Sequence, residues 1–523
     1  MAVLNIFDIR KDRGKNYQMA VNMIATVISF FVNFGIVALL TPFVVESLGA
    51  AAYGFVGLSN NIISYTQIFT IALNSMAARF IAINYGRGDV RTACSYYSSV
   101  FYSNVIISAA IVVLAGITVV YLDVWLDVPS ELLTDVRILF SVLTFNTVIG
   151  LVCNVFAVAT FIKNRLELSS FRLIISYLIR GFVLLISFSF FYSQLWYIGL
   201  ASVLSTLYVG YTNYKYTIVL TPELKIRQRN FEWSKVVELL KSGIWNTISK
   251  LGDILQRGFD LVLTNLFVGA TEMGILAITT QIPFVILSLL STISATFAPS
   301  MTLSYAKENM EEIKNDLCKS VRILSILMLV PLSILYVYGD VFYHLWIPSQ
   351  DEVILQWLTI CGTFALIFTS PLEGFWNIFT VTNKIKYSSL FMMANSFLVF
   401  VTVLAGLLIV DNPIAKMFIV ASVRSIYGVF RGIVFIPIYG ASCLGLKWTY
   451  FYKDLVKPVG GLLVVLLILF SLRLIVIPTT WIGLICISSV TAFISLLVGS
   501  IIILNKADIE YIISKLSHND KNK

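Results

Sequence analysis

The chain has 523 residues, 58% of them hydrophobic and only 12% charged, with a formal net charge of +9 and a mean hydropathy of +0.88. A soluble domain carries about 25% charged residues, so this composition excludes one and points to many membrane spans of roughly 20 apolar residues each. The six cysteines are scattered without a CxxC pair, and His344 and His518 are too few and too far apart for a histidine site; neither a disulfide frame nor a metal centre is expected.

A basic tail (Arg10, Lys11, Arg13, Lys15) leads into a first apolar run over 19–46. The run is longer than a signal-peptide core and lacks a cleavage pattern, so it is expected to stay as a span. Hydropathy predicts further helices near 53–78, 94–121, 133–161, 172–191, 196–219, 242–267, 273–300, 318–339, 353–381, 388–410, 415–439, 458–477 and 480–504, making about 14. Most of the 37 Lys and Arg fall in the two tails and the even-to-odd connections, for instance Arg79, Arg87, Arg91, Lys163, Arg165 and Arg172. The odd-to-even connections carry acids such as Asp123, Asp127, Asp340 and Asp351 instead. The positive-inside rule then places both termini in the cytoplasm. Topology and attraction to anionic lipid heads account for the net charge, so no nucleic-acid partner is needed. Residues Trp233, Val236, Val237 and Leu240 recur at helical spacing in the connection 220–241 and predict a short helix on the membrane surface. Ile509, Ile512, Ile513 and Leu516 do the same in the C-terminal tail.

The chain repeats itself. Leu48-Gly49-Ala50-Ala51-Ala52-Tyr53-Gly54 returns as Val268-Gly269-Ala270-Thr271-Glu272-Met273-Gly274, at an offset of 220 residues. Tyr85-Gly86-Arg87-Gly88-Asp89 stands opposite Tyr305-Ala306-Lys307-Glu308-Asn309 at the same offset. Span 1 therefore overlies span 7, and each unit holds six helices. An even-numbered unit re-enters the membrane in the same sense, so the halves are parallel repeats about a central cavity. The expected architecture is an all-α integral membrane protein: a six-helix lobe over 1–220, a second over 221–440, and two extra helices with a tail over 441–523.

Charges inside the spans are expected to face a cavity or a partner, because burying one in lipid is costly. Asn246, Lys250, Asp253, Arg257, Asp260 and Thr264 follow one another at 4, 3, 4, 3 and 4 residues in span 7. On a helix this spacing makes one polar stripe. It can serve as internal ion-paired glue, since Asp253 and Asp260 flank Arg257, or as a wall of the cavity. Arg424 and Arg431 share a face of span 12, beside Tyr427 and without an acid in that span. Arg180 in span 5 and Glu373 in span 10 complete the set. Glu373 lies between Pro371 and Gly374, where a helix can kink and free its carbonyls.

Pro42 before the first glycine motif, Arg79 to Asp89, Asn164-Arg165-Leu166-Glu167 and Phe267-Val268-Gly269…Gly274 resemble the polysaccharide-export members of the multidrug/oligosaccharidyl-lipid/polysaccharide exporter superfamily. The resemblance covers about the whole chain and is strongest to O-antigen or capsule-repeat flippases. It implies translocation of an undecaprenyl-diphosphate-linked oligosaccharide from the cytoplasmic to the outer leaflet of the bacterial inner membrane, by rocking of two lobes. Lys250, Arg257, Arg180, Arg424, Arg431 and Asn246 are then the candidates to hold the diphosphate or acidic sugars; a guanidinium holds two oxygens at once. Asp253, Asp260 and Glu373 are candidates for a coupling proton or sodium ion, and no other cofactor is expected. Lipid-linked oligosaccharide and anionic lipids are the expected partners, with a polysaccharide polymerase and a chain-length regulator as candidate protein partners.

Two relatives of the same superfamily compete. Lipid II flippases carry arginines in their first two spans, whereas here span 1 has no Lys or Arg and Arg79 only closes span 2. Multidrug antiporters favour acidic cavities, whereas these spans hold more bases than acids. A polymerase or ligase needs an exposed catalytic loop, and the acidic connections are all short, so an enzyme is not expected.

Overall fold

The computed structural model describes the backbone of residues 15–504, except 164, 307 and 383. The amphipathic segment predicted at 509–516 lies outside the described residues. All regular elements among these residues are helical. Thirteen helices carry the fold: α1 Lys15–Gly86, α2 Val90–Val120, α3 Leu133–Cys153, α4 Leu166–Phe190, α5 Tyr197–Leu220, α6 Trp233–Phe267, α7 Ala270–Ala295, α8 Met310–Trp346, α9 Glu352–Thr363, α10 Ile385–Ile409, α11 Pro413–Phe430, α12 Tyr452–Arg473 and α13 Trp481–Ile503. Shorter helical pieces join them. Helices are the expected answer for a chain this apolar, because in lipid every backbone N–H and C=O must be satisfied within its own segment. Eleven described helical stretches are long and apolar enough to cross a membrane. The other three predicted spans fall in the second arm of α1, in the tyrosine-rich α5 and in the charge-bearing α6.

The first two predicted spans form one continuous helical run, α1, broken only at Gly49, where φ is +84° and ψ 164°. Gly269, its counterpart in the repeat, separates α6 from α7 with φ +153°. Side chains rarely adopt either conformation, so the repeated glycine is required by the backbone at both turns.

The second repeated turn is reproduced bond for bond. Gly88 N–H donates to the Tyr85 carbonyl at 3.1 Å, and Glu308 N–H to the Tyr305 carbonyl at 3.0 Å. Asp89 caps α2 by accepting from Thr92 N–H at 3.0 Å, while Asn309 caps α8 by accepting from Glu312 N–H at 3.2 Å. Both middle residues have positive φ: Gly88 at 80° and Glu308 at 56°. Only the first is glycine. Glu308→Gly is therefore expected to stabilise the protein by about 1 kcal/mol and Gly88→Ala to destabilise it by a similar amount, as read by thermal unfolding of the purified chain.

The segment 233–240 is not a separate surface helix. It is the first two turns of α6, and it packs on the core of its own unit through Val236 and Leu239. The reason is polar as well as apolar. Ser95 and Tyr96 on α2 donate to Glu232 and Glu238 at 2.8 and 2.6 Å, and Glu232 N–H donates to Ser99 Oγ at 2.9 Å. These bonds draw the amphipathic stretch onto protein rather than lipid.

Contacts divide the chain into two compact units, and the division cuts inside α1 and α6. One unit comprises Met1–Thr41, Ile63–Leu122 and Leu133–Thr247; the other comprises Pro42–Ile62, Asp123–Leu132 and Ile248–Lys523. In the first, Asn74 and Asn104 join α1 to α2 by two reciprocal amide bonds of 3.1 Å. In the second, the two copies of the glycine motif touch each other. A Cβ on Gly274 would stand 2.0 Å from the Ala50 carbonyl oxygen, and one on Gly54 would stand 2.8 Å from the Gly274 nitrogen. The backbones cross here with no room for a side chain, as small residues allow between membrane helices.

The C-terminal pair, α12 and α13, is fastened to α8. Arg322 on α8 meets Asp454 on α12, Nε to Oδ1, at 3.5 Å. Midway, Ser333 and Ser495 hydroxyls lie 2.9 Å apart. Further along, Arg473 forks onto Asp340, with Nη1 donating to Oδ1 at 2.9 Å and Nη2 pairing with Oδ2.

Candidate functional site

The polar stripe runs along α6, where six polar residues recur at helical spacing on one face of the helix. The structure treats its two ends differently. Near the start, Asn246 is half-buried and donates from Nδ2 to Ser75 Oγ on α1 at 3.4 Å. Lys250 is exposed. The side chains of Asp253 and Arg257 lie outside the described residues; both positions fall on α6.

Toward the other end the stripe becomes buried and paired. Arg424 on α11 donates from Nη1 to Asp260 Oδ2 at 3.3 Å. The Asp260 side chain is 11% exposed and that of Arg424 27%. Arg424 has no acid in its own helix, and α6 supplies one. Thr264 is fully buried and donates its hydroxyl to the Asp260 carbonyl at 2.7 Å. The next residue, Asn265, is clamped to the connection before α3. Its Nδ2 donates to the Asp127 carbonyl and its Oδ1 accepts from Asp127 N–H, both at 2.9 Å. Lys416 on α11 donates to the Phe267 carbonyl at 2.9 Å, a cation at the C-terminal end of a helix.

Hydroxyl groups hold α10 against α6. Ser249 and Ser389 hydroxyls meet at 2.5 Å, and Ser396 Oγ donates to the Gly252 carbonyl at 2.7 Å. Gly252 permits this approach: a Cβ there would lie 3.1 Å from the Met392 carbonyl carbon. Arg431 sits where α11 passes into a π-helical turn, Arg431–Phe435. Such turns widen a helix and recur at functional sites. Its Nη1 lies 3.4 Å from Met392 Sδ on α10. Beyond it, Phe391 of α10 stacks on Phe435 with centroids 3.7 Å apart and planes within 2°.

Glu373 is half-buried in a 3₁₀ turn, Ser370–Gly374, that interrupts the predicted span after α9. Pro371 begins the turn, for it lacks the N–H that an α-helix would use. The first repeat carries a similar interruption at Asn154–Ala157. Arg180 is half-buried on α4. Among the candidates of the second unit, the structure thus joins Asp260 to Arg424 and sets Arg431 against α10.

Sequence reasoning missed Asn265, Ser249, Ser389 and Ser396. Asn265 stands next to the stripe rather than on it, and serines inside spans carry no hydropathy signal. The chemistry available is binding rather than bond-breaking. Cations and amides on α6, α10 and α11 can hold oxyanions and hydroxyls in a low-dielectric setting, and the Asp260 carboxylate can hold a proton or an ion if Arg424 releases it.

Residues 19–304 match the family described as polysaccharide biosynthesis protein. The chain is similar to an uncharacterized membrane protein, EpsK of Bacillus subtilis (strain 168), at 26% identity over 478 residues, covering 91% of this chain and 94% of that protein. In fold it is similar to a multidrug resistance MATE family transporter of the MOP superfamily in its inward-facing conformation. That match has a TM-score of 0.62 and 12% identity, covering 82% of this chain and 98% of the other. It is likewise similar to the lipid II flippase MurJ in an inward closed conformation, with a TM-score of 0.61 and 13% identity, covering 92% and 98%.

Proposed function

Because this multi-pass membrane chain belongs to the polysaccharide biosynthesis protein family, we propose that it is a flippase for a lipid-linked oligosaccharide. The cargo is an undecaprenyl-diphosphate-linked repeat unit, of the O-antigen or capsule type, carried from the cytoplasmic to the outer leaflet by alternating access. The observation that carries this reading is the polar stripe of α6, a run of charges and amides down a helix of a membrane bundle. Lys250 and Arg257 attract the diphosphate; Asn246 and the hydroxyl groups between α6 and α10 suit sugar hydroxyls. Asp260, held by Arg424, is the group through which a proton or sodium gradient would act, with Asp253 and Glu373 as further candidates.

The shared fold does not choose between substrates, since drug and lipid transporters match it equally well. The excess of bases over acids in the spans favours an anionic cargo over a drug cation. The basic connections favour cytoplasmic termini, and the reading puts the chain in the bacterial inner membrane. A polymerase and a chain-length regulator would receive the product.

Arg257→Ala decides the role of the stripe. In cells lacking their own flippase, at matched protein level, surface polysaccharide is expected to fall at least about tenfold, the worth of one charge-assisted contact. Full activity would remove Arg257 from the mechanism. Rescue of cells depleted of their lipid II flippase would transfer the reading to peptidoglycan precursors instead.

A further inference from the structure

The first unit buries a charge that the proposed function does not use. Arg172 sits on α4, six residues after Leu166, and is 5% exposed. At about 1.5 Å per residue it lies roughly 9 Å inside the helix end, at the end whose connections are rich in Lys and Arg. Its Nη2 donates to Ser169 Oγ at 2.6 Å. Its Nε and Nη1 are buried and have no hydrogen-bond partner among the described residues.

The nearest acid in sequence is already engaged. Glu167 is buried and accepts from Arg165 Nε, so that pair cancels. The phenols of Tyr208 and Tyr216 on α5 are the other electrostatic neighbours of Arg172, and both are neutral at ordinary pH. Among these groups one positive charge is left over.

A guanidinium does not relieve this by losing its proton. A buried charge with idle donors is unfavourable until an acceptor pairs with it. We propose that Arg172, with Ser169, forms an oxyanion site that takes the phosphate group of a membrane lipid. Arg172 lies near the helix end whose connections are rich in Lys and Arg, and the planar fork matches phosphate oxygens. The site is covered in this structure. Arg172 reaches the headgroup layer by turning on its three-methylene stem. Two lipids present this chemistry: a phospholipid headgroup and a polyprenyl diphosphate. The site stands whether or not the chain is a flippase, because binding is read without transport.

The test uses the full-length protein in a nonionic detergent, with unfolding temperature as the readout. The probes are dihexanoyl phosphatidylglycerol, farnesyl diphosphate and, as a phosphate-free control, dihexanoylglycerol. The wild type is expected to show a saturable rise with a phosphate-bearing probe and none with the control. Arg172→Gln is expected to weaken that response about tenfold or more, and Arg172→Lys, which keeps the charge but loses the fork, several-fold. A response to phosphatidylglycerol alone assigns the site to phospholipid; a response to farnesyl diphosphate alone assigns it to lipid diphosphates. No saturable response of the wild type to either phosphate probe overturns the proposal. So does an unchanged response in Arg172→Gln or, if that variant does not fold, in Arg172→Lys.

Discussion

Gly274→Ala is expected to destabilise the protein by about 1–3 kcal/mol, and Gly274→Val by more, through overpacking. The added carbon has no flexible neighbour to push aside. It meets the Ala50 carbonyl oxygen at 2.0 Å and the Ala50 carbonyl carbon at 2.3 Å, both backbone atoms, so two helix segments must part. Gly49→Ala makes a useful contrast. Nothing lies within 4 Å of a Cβ there, but φ is +84°. Its cost is conformational, about 1–3 kcal/mol, and Gly49→Asn should not relieve it, since asparagine tolerates the left-handed helical region but not φ +84° combined with ψ 164°. At Gly274 asparagine should be worse than alanine. Thermal unfolding of the five variants in one detergent separates the two causes. Equal losses for alanine and asparagine at Gly274 would refute the steric account.

Arg424→Ala is expected to cost on the order of 3 kcal/mol, because it strands the Asp260 carboxylate in a site where its side chain is 11% exposed. Asp260→Ala should cost less, as Arg424 keeps 27% of its side-chain surface and its long stem can turn elsewhere. The neutral pair Asp260→Asn with Arg424→Gln should regain most of the loss, since exchanging a buried ion pair for neutral groups is often near-neutral. A double-mutant cycle should then give a coupling of about 1–3 kcal/mol. Stability and transport part company in this variant. If the pair only ties α6 to α11, the neutral pair transports like the wild type. If the carboxylate takes part in coupling, the stable neutral pair loses gradient-driven transport. Additive single losses would mean that the pair is not formed.

The sequence disclosed the repeat because its turns depend on glycines and on capping side chains, and these leave a local signature. Gly49 and Gly269 keep their unusual φ, and Asp89 and Asn309 keep their caps. The stripe on α6 was legible for the same reason: helical spacing places its residues on one face whatever surrounds them. The partners were not legible. Asp260 and Arg424 are 164 residues apart, and nothing in either segment specifies the other. Arg165 and Glu167 neutralise one another at the start of α4. They read as an exposed connection, which hid both the true beginning of the helix and the burial of Arg172. Likewise the first two turns of α6 read as membrane-seeking, because the serines and tyrosine of α2 that bind Glu232 and Glu238 are distant in the chain.

The three fastenings of α12 and α13 have a practical consequence. Arg322, Ser333 and Asp340 are spread over 18 residues of α8, about 27 Å of helix, close to the thickness of the hydrocarbon layer. A beam bolted at both ends and the middle cannot pivot on its support. The C-terminal pair is thus an outrigger expected to move with α8. Phe493 on α13, 67% exposed, is a natural place for a spin label or fluorophore, where a reporter would follow α8 without touching the interior.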